Sequence, residues 1–264
     1  MKETVELLIS HGANINEKDK YGRTALHIAA YYNSKESAEL LISHGANINE
    51  KDNNGKTALH VAALNNMKET VELLISHGAN INEKDKYGRT ALHYAAYNYS
   101  KEMHKIYISP NSNINGKDNN GKTALHVAAL NNMKETVELL ISHGANINEK
   151  DKYGRTALHY AAYNYSKEMH KIYISPNSNI NGKTTLHYAK LKLVANMSDK
   201  DPSRNPDHNL VLIKNNIETV ELLISHGANI NEKDNNGETA LHYATKSNNK
   251  EIAELLISYG ANIN

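Results

Sequence analysis

The sequence Thr-Ala-Leu-His recurs at a constant spacing of 33 residues, beginning at Thr24, Thr57, Thr90, Thr123 and Thr156. A fixed period of this length is typical of repeat proteins, in which each repeat buries its apolar face by stacking on its neighbours. Such a stack is elongated and offers a long side surface in place of a central pocket. This geometry favours a protein that binds other proteins over an enzyme.

One repeat, residues 52–82, predicts a turn followed by two helices. It opens with Asp-Asn-Asn-Gly, a tight-turn sequence, and Thr57 is a suitable N-cap for a short first helix of small apolar residues. The apolar spacing that follows predicts a second, amphipathic helix over about Lys68–Ser76. Gly78 stands where a left-handed residue ends such a helix.

This pattern resembles the ankyrin repeat. The resemblance is carried by Asp-x-x-Gly-x-Thr-Ala-Leu-His-x-Ala-Ala and then Glu-Leu-Leu-Ile-Ser-His-Gly-Ala-Asn-Ile-Asn, which recur in register over nearly the whole chain. It implies an all-α repeat solenoid of stacked helix-turn-helix repeats with β-hairpin or turn tips. Asn66 stands where the family usually has a Gly between the helices. Tyr99 and Tyr165 stand at the same place in their repeats, which predicts local strain or an altered helix–helix turn.

The repeats divide the chain unequally. Residues 1–16 hold only the second half of a repeat, and five regular repeats follow over 17–183. Over 184–233 we expect an irregular repeat with a loop insertion at about 190–210, where Pro, Ser, Asn and Asp are frequent. Residues 234–264 form a C-terminal repeat.

Two stretches of the chain are copies of others. Residues 51–116 recur unchanged as 117–182, so a surface feature found in both is not independent evidence. Residues 1–16 repeat 67–82 letter for letter. The chain is therefore either a fragment of a longer array or an array whose first helix lacks a cap.

Composition excludes several function classes. The net charge is +1, from 30 Lys+Arg and 29 Asp+Glu, without the clustered basic excess of a nucleic-acid binder. There is no cysteine, which excludes disulfides and thiolate metal sites. The N-terminus lacks a signal-peptide core, and the longest apolar run, Leu210–Ile213, is far too short to span a membrane. We expect an intracellular, cytoplasmic protein that neither binds nucleic acid nor inserts into membranes.

One segment matches the phosphate-binding pattern G-x-x-x-x-G-K-[ST] letter for letter, Gly116–Thr123. A phosphate loop needs a buried strand before it and a parallel sheet beneath it, whereas the residues before Gly116 are polar and turn-like. The equivalent turn one copy earlier has Glu50 in place of Gly116. A nucleotide-binding enzyme that uses this segment is thus a remote alternative to a plain repeat tip.

Histidines are frequent but are spaced for structure. Zinc needs ligands about 2 Å from one ion, whereas neighbouring helices lie roughly 8–10 Å apart. We therefore predict no metal site, no cofactor and no catalytic residue. The resemblance implies that the histidine of each Thr-x-Leu-His sequence hydrogen-bonds the turn of the adjacent repeat; these are His27, His60, His93, His126, His159, His187 and His242.

The resemblance places a partner on the concave side of the array, formed by the turn tips and the first helices. The tip positions that match are Lys20, Tyr21, Arg23, Asn53, Asn54, Lys56, Lys86, Tyr87, Arg89, Asn119, Asn120, Lys122, Lys152, Tyr153, Arg155, Asn235 and Asn236. The first-helix positions are Tyr31, Tyr32, Leu64, Tyr97, Leu130 and Tyr163.

Adjacent tyrosine and arginine side chains are frequent interface anchors, although they could equally be solvated tips of a scaffold. The basic tips favour an acidic or phosphorylated segment of another protein. The leading hypothesis is a non-catalytic scaffold for protein–protein interaction. The alternatives are a targeting arm, or fragment, of a larger ankyrin protein with an effector domain elsewhere, and a mechanical spacer. Neither the partner's identity nor the oligomeric state follows from the sequence.

Overall fold

A computed structural model describes residues 2–97, 106–108, 111–163 and 207–263 of the chain. These residues form helices joined by turns and contain no strand, which confirms the all-α repeat solenoid. The tips, expected as β-hairpins or turns, are turns. The helices are α1 Lys2–Ser10, α2 Ala25–Tyr31, α3 Lys35–Ser43, α4 Ala58–Leu64, α5 Lys68–Ser76, α6 Ala91–Ala95, α7 Ala124–Leu130, α8 Lys134–Ser142, α9 Ala157–Ala162, α10 Asp207–Ser225, α11 Ala240–Lys246 and α12 Lys250–Ser258.

Each described repeat begins as its sequence predicts. Thr57 caps α4 in an extended conformation, and the His60 ring accepts at Nδ1 from the Thr57 backbone N–H over 3.1 Å. The second helix, α5, has the predicted bounds, and Gly78 beyond its end has a φ of +87°. Asn66, in the place where the family has Gly, takes a φ of +60° between the two helices. Asn tolerates this left-handed conformation better than most residues, so the departure keeps the turn.

The helices stack in two rows. The first helices α2, α4, α6, α7, α9 and α11 pack successively on one another, and second helices such as α1, α3 and α5 do the same beside them. Ala62 and Ala63 on α4 are fully buried, and so is Leu74 on α5. Small alanines let neighbouring first helices approach closely, and the larger leucines fill the space between the two rows.

The end of the stack departs from chain order. Helix α10 packs against α9 and α8, in the place of a second helix that completes the repeat of α9. Asn148 donates from Nδ2 to the carbonyl of Gly227, 79 residues on, whereas the equivalent bond from Asn16 to Gly45 spans 29 residues. The tip at Asp234 therefore stacks directly on the tip at Asp151.

Several expectations fall on other parts of the chain. Tyr99, Tyr165 and residues 184–206 lie outside the described residues, so the irregular repeat remains a prediction. Helix α10 starts at Asp207, inside the stretch assigned to the loop insertion. The apolar run Leu210–Ile213 lies in the first half of α10, before the half whose sequence matches the second helix of the other repeats. Every described helix is too short or too polar to cross a lipid bilayer.

Candidate protein-binding surface

Each tip is a turn built around one aspartate. The backbone N–H of Asp85 donates to the carbonyl of Arg89 over 3.0 Å, which closes the turn. Oδ1 of Asp85 accepts from the backbone N–H groups of Tyr87 and Arg89, at 2.8 and 2.9 Å. The same pair of bonds recurs at Asp19, Asp52 and the other described tips. The tips are therefore rigid, because their backbone donors are satisfied internally.

Backbone hydrogen bonds join the tips into a continuous row. Asn53 donates from its N–H to the carbonyl of Tyr21, and Lys86 donates to the carbonyl of Asn54, each over 3.0 Å. Equivalent bonds run from Asn119 to Tyr87, from Lys152 to Asn120 and from Asn235 to Tyr153. All the tip residues predicted from the sequence thus lie on one edge of the array.

The asparagines of this row hold tips together. Asn53, Asn119 and Asn235 each donate from Nδ2 to the carbonyl of a lysine in the preceding tip, at 3.1, 2.9 and 2.9 Å. Their amide groups therefore serve the stack.

A tyrosine and an arginine stack at three of the tips. The guanidinium carbons of Arg23, Arg89 and Arg155 lie 4.8, 4.5 and 4.5 Å from the ring centroids of Tyr21, Tyr87 and Tyr153. These rings are 53%, 36% and 53% exposed. Because each ring rests on a guanidinium and a closed turn, it loses little conformational entropy when a partner covers it.

The arginine charge is balanced within the tip. Arg89 donates from Nε to Oδ2 of Asp85 over 3.2 Å, and the same oxygen accepts from the hydroxyl of Tyr94 at 2.5 Å. Burial raises the pKa of Asp85, but the hydrogen bond from Tyr94 and the proximity of Arg89 outweigh it, so this pKa lies below its usual 3.8. Asp151, Arg155 and Tyr160 repeat this arrangement.

The first-helix residues differ in exposure. Tyr31 and Tyr32 are exposed and meet edge to face, with ring centroids 5.0 Å apart. Leu64, Tyr97, Leu130 and Tyr163 are only partly exposed. Burial raises the pKa of Tyr97, so its ring serves the packing of its repeat as well as the surface.

The recurring histidines link successive repeats, as the resemblance implies. His60 donates from Nε2 to the carbonyl of Arg89 over 3.1 Å, while its Nδ1 accepts from Thr57. Desolvation lowers the pKa of His60 below its usual 6.5. Because one ring nitrogen must accept and the other must donate, the neutral imidazole is the form that fits. Bonds of the same kind are made by His27, His93, His126 and His159. His187 lies outside the described residues, and His242, in the last described repeat, caps its own helix at Thr239 and has no further tip among the described residues to bind.

The segment Gly116–Thr123 forms an ordinary tip. Asp118 accepts from the backbone N–H of Lys122 over 2.9 Å, Thr123 caps α7, and no strand occurs among the residues described around it. The Lys122 ammonium lies 4.8 Å from the centroid of the Tyr160 ring. The described residues also contain no cluster of three or more His, Asp or Glu side chains arranged to hold a metal ion.

Sequence reasoning missed Tyr94 and Tyr160, together with the carboxylates of Asp85 and Asp151 that they bind. No pattern in the sequence identified these residues. Tyr follows the histidine in the Arg89 repeat and in its copy, but Ile28 follows it in the Arg23 repeat and Tyr243 follows it in the Glu238 repeat.

Comparison with known proteins agrees with this architecture. The family model described as ankyrin repeats matches three times, over residues 1–85, 79–151 and 190–264. The chain therefore belongs to the ankyrin repeat family, a module that generally mediates protein–protein interaction.

Among solved structures, the ankyrin repeat domain of Bcl-3, "a unique member of the IkappaB protein family", is similar in fold. The TM-score is 0.66 and the identity 21%, over 97% of this chain and 91% of that chain. At this identity the likeness shows the fold alone. A comparison with curated protein sequences finds no match.

Proposed function

We propose that this chain is a non-catalytic module that binds another protein through its row of tips and the adjoining first helices. The observation that carries the proposal is the repeated, pre-organised pairing of an exposed tyrosine with an arginine at Tyr21, Tyr87 and Tyr153. Tyrosine and arginine are enriched among the residues that dominate binding energy in interfaces. The intracellular, cytoplasmic location remains a prediction.

A quantitative pull-down tests the site. The intact chain is compared with a Tyr21→Ala, Tyr87→Ala, Tyr153→Ala variant, and bound proteins are identified by mass spectrometry. The matched control is Tyr259→Ala, which removes a ring of similar exposure (49%) at the end of α12. Circular dichroism first establishes that all forms are folded.

We expect one or more proteins to be retained by the intact chain and the control and lost by the triple variant. Equal retention by the triple variant would move the site away from the tips. Retention of nothing above background by any form would contradict the binding proposal and favour a spacer.

A further inference from the structure

Two lysines of the tip row are placed unlike ordinary surface lysines. The ammonium groups of Lys56 and Lys122 lie 5.0 and 4.8 Å from the centroids of the Tyr94 and Tyr160 rings, which belong to the next repeat. Both lysines are partly exposed, and among the described residues neither has a carboxylate within ion-pair distance. Each ring therefore carries a cation whose charge no ion pair balances.

An arginine approaches the same two rings. The guanidinium carbons of Arg89 and Arg155 lie 4.7 and 4.8 Å from the centroids of Tyr94 and Tyr160. The carboxylate that forms the ion pair with the arginine is saturated. Oδ1 of Asp85 takes two backbone N–H groups, and Oδ2 takes the Tyr94 hydroxyl and the arginine. Asp85 therefore has no acceptor left for Lys56, and Asp52, the carboxylate of the lysine's own tip, acts on Lys56 through its charge without an ion pair.

The proximity of the arginine affects the pKa of each lysine. Burial lowers the pKa of Lys56 below 10.5, and the positive charge of Arg89 lowers it further, against the opposing effect of Asp52 and Asp85. Burial and Arg155 have the same effect on the pKa of Lys122. A bound anion would offset both contributions, because it would face two cations that repel each other.

The neighbouring tips lack this arrangement. At the first tip Ile28 occupies the place of Tyr94, and at the last tip Glu238 occupies the place of the arginine. The two clusters therefore occur only at the centre of the row of described tips, and the segments 51–116 and 117–182 that carry them are identical.

We infer that the Lys56–Arg89 and Lys122–Arg155 clusters are two copies of one anion site, and that the partner is a protein segment whose two carboxylates or phosphates occupy both. This inference rests on the proposed function and deepens it. The sites are two repeats apart, roughly 16–20 Å at the usual spacing of packed helices. An extended peptide at about 3.3 Å per residue bridges this distance in five to six residues.

Synthetic peptides with flexible Gly-Ser sequences test the spacing on the intact chain. They carry two phosphoserines six residues apart, two phosphoserines two residues apart, a single phosphoserine, or two glutamates six residues apart, and affinity is measured by fluorescence anisotropy. Simultaneous occupation of both sites makes the second binding event intramolecular. We expect the six-residue phosphoserine peptide to bind at least about tenfold tighter than the single phosphoserine. Tighter binding of this peptide than of the glutamate peptide would indicate a phosphorylated partner segment, and tighter binding of the glutamate peptide would indicate an acidic one.

Substitutions test the residues. Lys56→Met and Lys122→Met keep an aliphatic stem over the ring and remove the charge. Lys233→Met is the matched control, an exposed lysine outside the tip clusters with the same loss of charge. Each cluster variant should reduce the affinity for the peptide with two phosphoserines six residues apart to the affinity for the single-phosphoserine peptide. The control should leave that affinity within about twofold of the intact chain, because salt screens the charge of a distant exposed lysine.

Three results would overturn the inference: no gain from the second phosphoserine, no dependence on spacing, or an equal loss in Lys233→Met. The peptide measurements on the intact chain remain decisive if a lysine variant fails to fold. If the peptides fail to bind as expected but the pull-down retains a protein that the triple tyrosine variant loses, the anion sites are rejected and the proposed function stands. If the peptides bind as expected but the triple tyrosine variant retains the same proteins as the intact chain, the role of the tip tyrosines is rejected instead.

Discussion

His159 donates a hydrogen bond from Nε2 to the backbone carbonyl of Glu238, 3.0 Å away and 79 residues further along the chain. Its ring also accepts from the backbone N–H of Thr156, over 3.1 Å. One imidazole thus caps α9 and binds the tip of the next repeat in the stack. His242 makes the same cap to Thr239 but is exposed. A comparison of the two histidines therefore distinguishes the contribution of the helix cap from that of the bond between repeats.

This pair gives a first prediction. We expect His159→Ala to lower the free energy of unfolding by about 2 kcal/mol more than His242→Ala does, because a buried acceptor loses its donor in addition to the lost cap. Urea unfolding followed by circular dichroism measures the difference. Equal losses in the two variants would show that the bond to Glu238 adds nothing.

A second prediction concerns pH. Desolvation lowers the pKa of the buried histidines below 6.5. As pH falls through 6.5 the unfolded chain therefore takes up protons before the folded chain does, and the stability contributed by the neutral rings is lost. The urea midpoint should be constant above about pH 7.5 and fall steadily towards pH 5. An unchanged or rising midpoint over that range would contradict the assigned ring contacts.

A third prediction uses two glycines of the tips. Gly55 and Gly237 have φ values of +75° and +78°, but a Cβ on Gly55 would lie 2.8 Å from the backbone nitrogen of Lys86, whereas one on Gly237 would meet nothing within 4 Å. Both alanine variants carry the left-handed penalty of about 1 kcal/mol. Gly55→Ala should be less stable than Gly237→Ala by a further 1 kcal/mol or more, on the order of the cost of overpacking. Thermal unfolding of the two variants side by side measures this, and equal melting temperatures would argue against close tip-to-tip contact.

A fourth prediction addresses the turn between the two helices of a repeat. Asn66 adopts a φ of +60°, a conformation that glycine takes readily and alanine does not. Asn66→Gly should therefore change the free energy of unfolding by only a few tenths of a kcal/mol, and Asn66→Ala should lower it by about 1 kcal/mol. If both variants were equally destabilised, the side chain of Asn66 and not its backbone would matter.

Local structure was largely predictable from the sequence, because every repeat contains its own signals. The Thr57 cap, the bounds of α5 and the left-handed Gly78 all follow from residue type and spacing. The candidate binding surface was predictable only as a set of positions. That Lys56 shares a ring with Arg89 depends on contacts between repeats, which the period does not specify.

The packing of α10 on α9 could not be predicted from the period either. The second halves of the repeats are nearly interchangeable, as the shared Glu-Thr-Val-Glu-Leu-Leu-Ile-Ser of α5, α8 and α10 shows. Residues of such similar shape fit the same neighbour, so local pattern alone does not decide which copy completes a given repeat.

The large sequence separation between the last two tips of the stack has a kinetic consequence. The contact between the tips of the fifth and last repeats closes a loop of 79 residues at His159, whereas the equivalent contact at His27 closes 29. Because the entropy of loop closure grows with the logarithm of length, the longer loop costs about 0.9 kcal/mol more. Distant contacts also form more slowly than local ones. We therefore expect the contacts between the segment from α10 to the C-terminus and the rest of the array to form more slowly than the contacts between repeats that are adjacent in sequence.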